Sequence, residues 1–238
     1  MSVFRFKHFS IDQSKVAMKV GTDGVLLGAW AEVSNKASRI LDVGAGSGLI
    51  CLQMAQRYPA AQVLGIERDQ GAASAALANI SNSAFSERIA ILEDDFVSWY
   101  PNCEERFDAV VSNPPFFDES PKEVHDARHL ARQSAYLPLD ILVKGAARLL
   151  VVDGSFSVIL PYEQATELQR IAASHGLELK RYCLVKGRSD TPVRRVLFDF
   201  VKTKNPIIAH REELVIELDR NVYTEEYREL TAPFYLNF

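Results

Sequence analysis

Two rhythms of apolar and polar positions alternate along the middle of the chain. Short apolar runs at Arg39–Val43, Gln62–Glu67, residues 88–92 and Phe107–Ser112 read as buried strands. Between the first two, Leu49–Arg57 sets Leu49, Leu52, Met54 and Ala55 at helical spacing, and residues 70–80 are Ala-rich and helix-prone. Further on, residues 139–150 form a helical pattern with Ile141, Leu142, Ala146 and Leu149 on one side. Residues 155–160 read as a strand and residues 163–175 as a helix. Three strand patterns follow, at 177–185, 195–201 and 214–218.

Strands that alternate with helices of this length imply βαβ units and a parallel sheet covered on both faces. The last strands have no long helix between them, so an antiparallel hairpin at the sheet edge is the simplest arrangement. The expected fold class is α/β, with a seven-stranded, mostly parallel sheet. Residues 7–30 lie outside this rhythm. Their second half, residues 22–31, reads as a helix that Thr22 caps, with Asp23 favourably placed at its positive end. Residues 1–35 are therefore expected to be an extension packed over one domain that spans residues 1–238.

Composition narrows the classes. The 238 residues are 47% hydrophobic and 24% charged, ordinary values for a globular chain, and no apolar run is long enough to span a membrane. The first ten residues carry Arg5, Lys7 and His8 without a following apolar stretch, which is not a secretory signal. Cys51, Cys103 and Cys183 are an odd, scattered set, which argues against a disulfide framework or a zinc ribbon and fits a reducing cytoplasm. A net charge of −4 argues against bulk nucleic-acid coating but allows a local basic face.

The chemistry gathers at two turns. Asp42-Val43-Gly44-Ala45-Gly46-Ser47-Gly48 joins the first core strand to a helix. In open α/β sheets ligands bind beyond the carboxyl ends of the strands, where glycines admit close approach and amides at the helix start can donate. A dinucleotide fingerprint needs a third glycine one residue later. A Walker loop needs Lys followed by Ser or Thr. A nucleophile elbow does not register on Ser47. Glu67 ends the next strand, 19 residues after Gly48, where a carboxylate can accept from both ribose hydroxyls.

The second turn, Asn113-Pro114-Pro115-Phe116, follows the fourth core strand, and two prolines force the backbone to leave the sheet. An exocyclic amine on adenine is a poor nucleophile, because its lone pair is delocalised into the ring. Two acceptors aimed at its two protons favour a pyramidal nitrogen. The Asn113 side-chain carbonyl and the Pro114 backbone carbonyl are the candidates. Phe116 can stack on a flat substrate, worth about 1–3 kcal/mol for a nucleobase, and Phe117 extends the aromatic wall. Positioning and electrostatics would supply most of the rate.

The G-x-G-x-G turn after Asp42 resembles motif I of the Rossmann-like S-adenosylmethionine (SAM) methyltransferases. The resemblance implies cofactor contacts at Asp42, Gly44, Gly46, Gly48 and Glu67. It also implies that Asp95, preferred over Asp94, accepts from the adenine amino group, with Phe96 against that ring. Asn113-Pro114-Pro115-Phe116 matches the [DNS]-P-P-[YFW] signature of amino-group methyltransferases. Near relatives mostly carry Tyr in the fourth place, so Phe keeps stacking and loses a hydroxyl.

The ends of the chain narrow the resemblance. Phe4-Arg5-Phe6-Lys7-His8-Phe9, Gln13, residues 18–30 and Ala232-Pro233-Phe234-Tyr235-Leu236 are similar to the bacterial valine-tRNA N6-adenine methyltransferases, as is Ala127-Arg128-His129. That family methylates the adenine at tRNA position 37. The resemblance implies that the N-terminal segment crosses the cofactor pocket, with Thr22 and Asp23 near the methionine end and Asn113 touching cofactor and substrate. It implies tRNA as partner; DNA is disfavoured because no segment is long enough for a separate target-recognition domain, no membrane is expected, and no obligate protein partner is evident.

Two basic clusters are expected to track tRNA phosphates: Arg5, Lys7, His8, Lys15 and Lys19, and Lys180, Arg181, Lys186, Arg188, Arg194 and Arg195. Lys7, Lys19, Arg195 and Arg128 are the chosen substrate contacts. His125, Arg128 and His129 have no completing ligands, so no metal is expected. Cys51 reads as core packing, and Asn79-Ile80-Ser81 as a glycosylation triplet without meaning in a cytoplasmic protein. Rival readings are a SAM-dependent enzyme for another RNA base or a protein glutamine, a nicotinamide oxidoreductase, and a silent SAM-binding module.

Overall fold

A computed structural model describes residues 3–14, 16, 18–115 and 137–237. Phe116, Phe117, His125, Ala127, Arg128, His129 and Lys15, all named above, lie outside the described residues.

The main sheet contains β3 (Arg39–Val43), β4 (Gln62–Glu67), β5 (Ile89–Glu93), β6 (Phe107–Ser112), β7 (Leu150–Pro161), β8 (Leu177–Arg188), β9 (Val193–Lys202), β10 (His210–Asp219) and β11 (Val222–Tyr223). Their order is β11-β10-β8-β9-β7-β6-β3-β4-β5. From β5 to β7 every neighbour pair is parallel. β8 and β9 form the expected antiparallel hairpin, and β9 also runs antiparallel to β7. Here the expectation is corrected. β10 adds to β8 in parallel and β11 folds back on β10, so among the described residues the sheet has nine strands and the β8–β9 hairpin is interior. β10 is rich in charged residues outside the 214–218 run, and β11 is only two residues long, which weakened the alternation by which strands are read.

Helices cover both faces. α1 (Thr22–Trp30), α2 (Leu49–Arg57) and α3 (Gln70–Ser81) enclose a core with Ile40, Val63, Ala109, Val111, Ile159 and Leu197. On the other face α4 (Phe96–Trp99), α5 (Leu139–Leu149) and α6 (Ala165–Ser174) close over Leu41, Val43, Ile66, Val110, Phe156, Val158, Phe198 and Phe200. Alternation along a pleated strand sends Ile40 and Leu41 to opposite cores. A final short helix, α7 (Glu225–Thr231), is capped by Thr224, whose side chain accepts from the Tyr227 amide at 3.2 Å.

α1 is apolar all round, and Gly24 through Trp30 are buried. It packs between the sheet, α2 and α7. Its cap differs from the expectation: Gly21 occupies the N-cap and makes no side-chain bond, while Thr22 is the first helical residue and is exposed. Asp23 does fall in the first turn. At the other end, the Trp30 carbonyl accepts from Arg181 Nη2 at 2.7 Å, and the Arg181 guanidinium lies 3.8 Å from the Trp30 ring centroid.

Before α1, β1 (Val3–Arg5) and β2 (Ser10–Asp12) form a separate antiparallel hairpin. Phe6 stacks on Tyr235 with centroids 5.8 Å apart, and the Lys7 amide donates to the Phe234 carbonyl at 2.8 Å. The two ends of the sequence that carry the narrower resemblance thus meet in one aromatic cluster.

Candidate active site

The glycine turn and the Asn113 turn emerge side by side, because β3 and β6 are paired in parallel with Val43 opposite Ser112. The Ser112 hydroxyl fastens them by donating to the Val43 carbonyl at 2.8 Å. Gly44, Gly46 and Gly48 have φ of +77°, +54° and +82°, a region costly for residues with a Cβ, so the turn demands glycine. A Cβ on Gly44 would meet nothing within 4 Å, so that side of the turn is open space for a ligand.

The amides of the turn are less free than the sequence suggested. Gly44 and Ala45 donate to the Ile66 carbonyl at 2.9 and 3.1 Å, Gly46 donates to Glu67 Oε2 at 2.8 Å, and Gly48 donates to the Ala45 carbonyl at 2.8 Å. What the turn offers is a rigid, side-chain-free surface. Glu67 sits beside it, half-buried, with Oε1 taking the Asp69 amide at 2.9 Å. Each carboxylate oxygen retains a further lone pair for a ligand hydroxyl.

Asp42 lies beneath the turn, fully buried. The Cys51 thiol donates to its Oδ2 at 3.2 Å, and Oδ1 has no partner among the described residues. Burial pushes the Asp42 carboxyl up to about 7; the Cys51 bond opposes this and the nearby Glu67 charge adds to it. Burial likewise pushes the Cys51 thiol well above its usual range, so Cys51 is inert packing, as the sequence suggested.

Asn113 is half-buried. Its Oδ1 is sealed from solvent and accepts no bond among the described residues. An unmet buried acceptor is costly and calls for a donor. The N-terminus of α1 is brought against it: a Cβ on Gly24 would lie 3.7 Å from Asn113 Nδ2 and 3.1 Å from Leu49. Pro114 is buried and Pro115 half-buried. Asp23 and the exposed Thr22 therefore stand at the rim shared by the Asn113 turn and α2.

Asp95 caps α4, with Oδ1 accepting the Val97 amide at 2.9 Å and Oδ2 lying 3.6 Å from Arg68. The Phe96 ring does not face the site. It is 5% exposed, stacks on Tyr100 at 5.3 Å and presses on Gly145 of α5, where an added Cβ would come within 2.5 Å. The expectation that it lies against an adenine is corrected: α5 buries that ring, leaving Asp95 as the exposed member of the pair.

The basic clusters also change meaning. Lys180 lies 3.0 Å from Glu32, Arg181 3.4 Å from Asp199, Lys186 2.7 Å from Glu213, Arg188 3.4 Å from Asp190 and Arg195 2.8 Å from Asp23. Five of the six cations of the C-terminal cluster are thus ion-paired, and Arg194 is exposed. Asp199 at the centre of the cluster is buried; that burial pushes its carboxyl up to about 6 despite Arg181 and Lys180. In the N-terminal cluster Arg5, Lys7, His8 and Lys19 are exposed, with Lys7 Nζ donating to the Ala232 carbonyl at 2.6 Å. Sequence reasoning missed Asn79, whose side chain reaches the glycine turn; its only sequence signal was a misleading glycosylation triplet.

Among the described residues no group of three or more His, Cys, Asp or Glu is placed to hold a metal, and no helix is long and apolar enough to cross a membrane.

Comparison with known proteins gives the family. The methyltransferase small domain matches residues 17–169. A tRNA1(Val) (adenine(37)-N6)-methyltransferase of Christiangramia forsetii is 39% identical over 236 residues, covering 98% of this chain and 97% of the relative. The protein of the same name from Trichodesmium erythraeum is 40% identical over 237 residues, covering 99% and 98%. Among solved structures, a predicted O-methyltransferase from Agrobacterium tumefaciens shares the fold, with a TM-score of 0.70 at 22% identity over 89% of this chain and 96% of that one. The family match over residues 17–169 and near-complete alignment at about two-fifths identity place the chain in the methyltransferase small-domain family, among the tRNA1(Val) (adenine(37)-N6)-methyltransferases.

Proposed function

We propose that this protein transfers a methyl group from SAM to the N6 amino group of the adenine at position 37 of a valine tRNA, in the cytoplasm. The observation that carries the reading is Asn113 Oδ1, a buried acceptor that has no donor among the described residues, at the carboxyl end of β6.

SAM supplies, when bound, an electrophilic methyl group on a sulfonium. The open side of Gly44 and the oxygens of Glu67 suit its nucleoside, and Asp95 suits an adenine amine. Asp42 and the turn hold the floor. Thr22 and Asp23 at the start of α1 suit the methionine end, so residues 1–35 act as a cover on one methyltransferase domain.

Asn113 Oδ1 accepts one proton of the target amine and the Pro114 carbonyl accepts the other. This holds the nitrogen pyramidal with its lone pair aimed along the line of displacement. The nitrogen sheds a proton after the new bond forms, so no strong base is required beforehand. Phe116 and Phe117 are assigned to stacking on the extruded base. An unpaired loop base is cheap to splay out, which suits adenine 37 beside the anticodon.

Phosphate contact is assigned to the exposed N-terminal cations, Lys7 and Lys19 among them, and to Arg128. Arg195 is reassigned to holding Asp23. The anticodon arm is the proposed docking element, without a metal or a further protein.

The test is transfer from labelled SAM to unmodified valine tRNA, with nucleoside mass spectrometry and mapping of the site. N6-methyladenosine at position 37 is the expected product. Transfer to other RNA but not to this tRNA would reject the substrate and retain the chemistry. Transfer to protein glutamine alone would reject both RNA and adenine.

A further inference from the structure

Asn79, on the inner side of α3, is 5% exposed and makes three hydrogen bonds to two distant segments. Its Oδ1 accepts the Asp12 amide at 2.8 Å, and its Nδ2 donates to the Asp12 carbonyl at 3.2 Å. The side-chain amide therefore pairs with Asp12 as a residue of a neighbouring strand would. The second N–H of the same Nδ2 donates to the Ser47 carbonyl at 3.0 Å, inside the glycine turn. The donor capacity of the amide is fully used. The turn rests on the same helix through Gly48, whose Cβ position lies 3.4 Å from Ala76 and 3.5 Å from Ile80.

We infer that Asn79 is a positioning residue that couples the N-terminal hairpin to the glycine turn, so that hairpin docking sets affinity for the nucleoside cofactor. This deepens the methyltransferase reading and rests on it, but not on the identity of the RNA.

The geometry explains why the device needs this residue type. The turn carries three residues at positive φ in succession of five, and glycine backbones are the most costly to order. Its amides are already held by Ile66, Glu67 and Ala45. The Ser47 carbonyl is held from the other side, by a side chain whose remaining bonds belong to β2. Asn79→Asp keeps an acceptor for the Asp12 amide, removes both donors and sets a carboxylate against two carbonyls. Asn79→Ala removes all three bonds. When the hairpin docks, Asn79 is fixed and the turn is held in its ligand-ready shape; by linkage, a ligand that fixes the turn must tighten the hairpin by the same factor.

The experiment has a wild-type arm and a variant arm. In the wild type, hydrogen exchange is followed at the Asp12 amide and at residues 44–48 with and without S-adenosylhomocysteine. Binding is expected to slow both sites together. Protection of the turn with no change at Asp12 would overturn the coupling, and this arm needs no variant to fold. In the variant arm, the S-adenosylhomocysteine Kd is expected to rise about tenfold for Asn79→Ala and more for Asn79→Asp. KM for RNA at saturating SAM should stay within twofold. Asn82→Ala, which loses one exposed bond on the same helix, is the control and should leave the Kd unchanged. An unchanged Kd in a folded Asn79→Ala variant, or equal losses for SAM and RNA, would reduce Asn79 to general packing. If no RNA is methylated at all, the cofactor measurements still decide the role of Asn79, so the two readings fail separately.

Discussion

Arg195 Nε donates to Asp23 Oδ2 at 2.8 Å, joining β9 to the first turn of α1 across 172 positions of sequence. The next residue, Gly24, lies against Asn113. A bond from β9, two strands from β6, therefore pins the start of α1 over the turn that carries the proposed chemistry. A half-exposed pair of this kind contributes little stability, about 0–1 kcal/mol. Its consequence is geometric.

Asp23→Asn and Arg195→Gln should each lower methyl-transfer kcat by roughly tenfold, with Tm nearly unchanged, because misplacing a positioning element costs rate without much stability. The double variant should be no slower than the worse single variant. Steady-state kinetics on all three decides. Additive losses would show that Arg195 acts on RNA independently of Asp23.

Asn113→Ala removes the orphaned acceptor. The expected loss is about 10²–10³ in kcat, the cost of deleting one preorganised transition-state partner. Isothermal titration with S-adenosylhomocysteine should show affinity within a few-fold of the wild type. A loss of binding equal to the loss of rate would move Asn113 from the reaction to ligand holding alone.

The carboxyl of Asp42 is pushed up to about 7 in the fold, above the ordinary value of 3.8. The folded state thus binds this proton more tightly than the unfolded chain. The associated stability is full below pH 3.8 and is lost as pH rises through about 7. Asp42→Asn mimics the protonated group. Its Tm should match the wild type only near or below pH 3.8, and its advantage should grow between pH 5 and pH 8 by a stability difference on the order of 2–3 kcal/mol. Parallel Tm curves across that range would show that Asp42 is ionised throughout.

Arg181 holds the buried Asp199, and Asp199 also accepts from the Ser157 hydroxyl at 3.1 Å. Arg181→Met leaves the carboxylate without its main partner, which should cost about 3–5 kcal/mol at pH 8. With Asp199 pushed up to about 6, the deficit should shrink near pH 5 as the carboxyl takes up a proton. Urea denaturation at the two pH values measures it. A deficit independent of pH would assign the loss to the Arg181 stacking on Trp30.

What the sequence determined by itself was local in origin. Period-2 and period-3.6 patterns marked β3, β4, β6, α2 and α3 within a residue or so, because those segments bury one face or both. The glycine turn was legible because three positive φ values exclude other residues. Asn113-Pro114-Pro115 was legible because two prolines must end a strand. Only residues 214–218 of β10 were legible, and its parallel placement beside β8 was not; nor were β11, the hairpin β1–β2 or the cap of α1, since short or polar elements take their shape from what they pack against.

Tertiary structure alone decided which charges are spent and which side chains face the site. Lysines and arginines read alike along a chain, yet Arg195 meets Asp23, Arg181 meets Asp199 and Lys186 meets Glu213 only because β9 inserts between β7 and β8 and β10 adds beyond them. Phe96 follows Asp95 in sequence, but the approach of Gly145 on α5 sends its ring into the core. Asn79 showed only a glycosylation triplet without meaning, whereas the fold of α3 sets its amide between Asp12 and Ser47. Local propensity carries no record of distances across the sheet, so contacts between segments far apart in sequence come into view only when strand order and register are fixed.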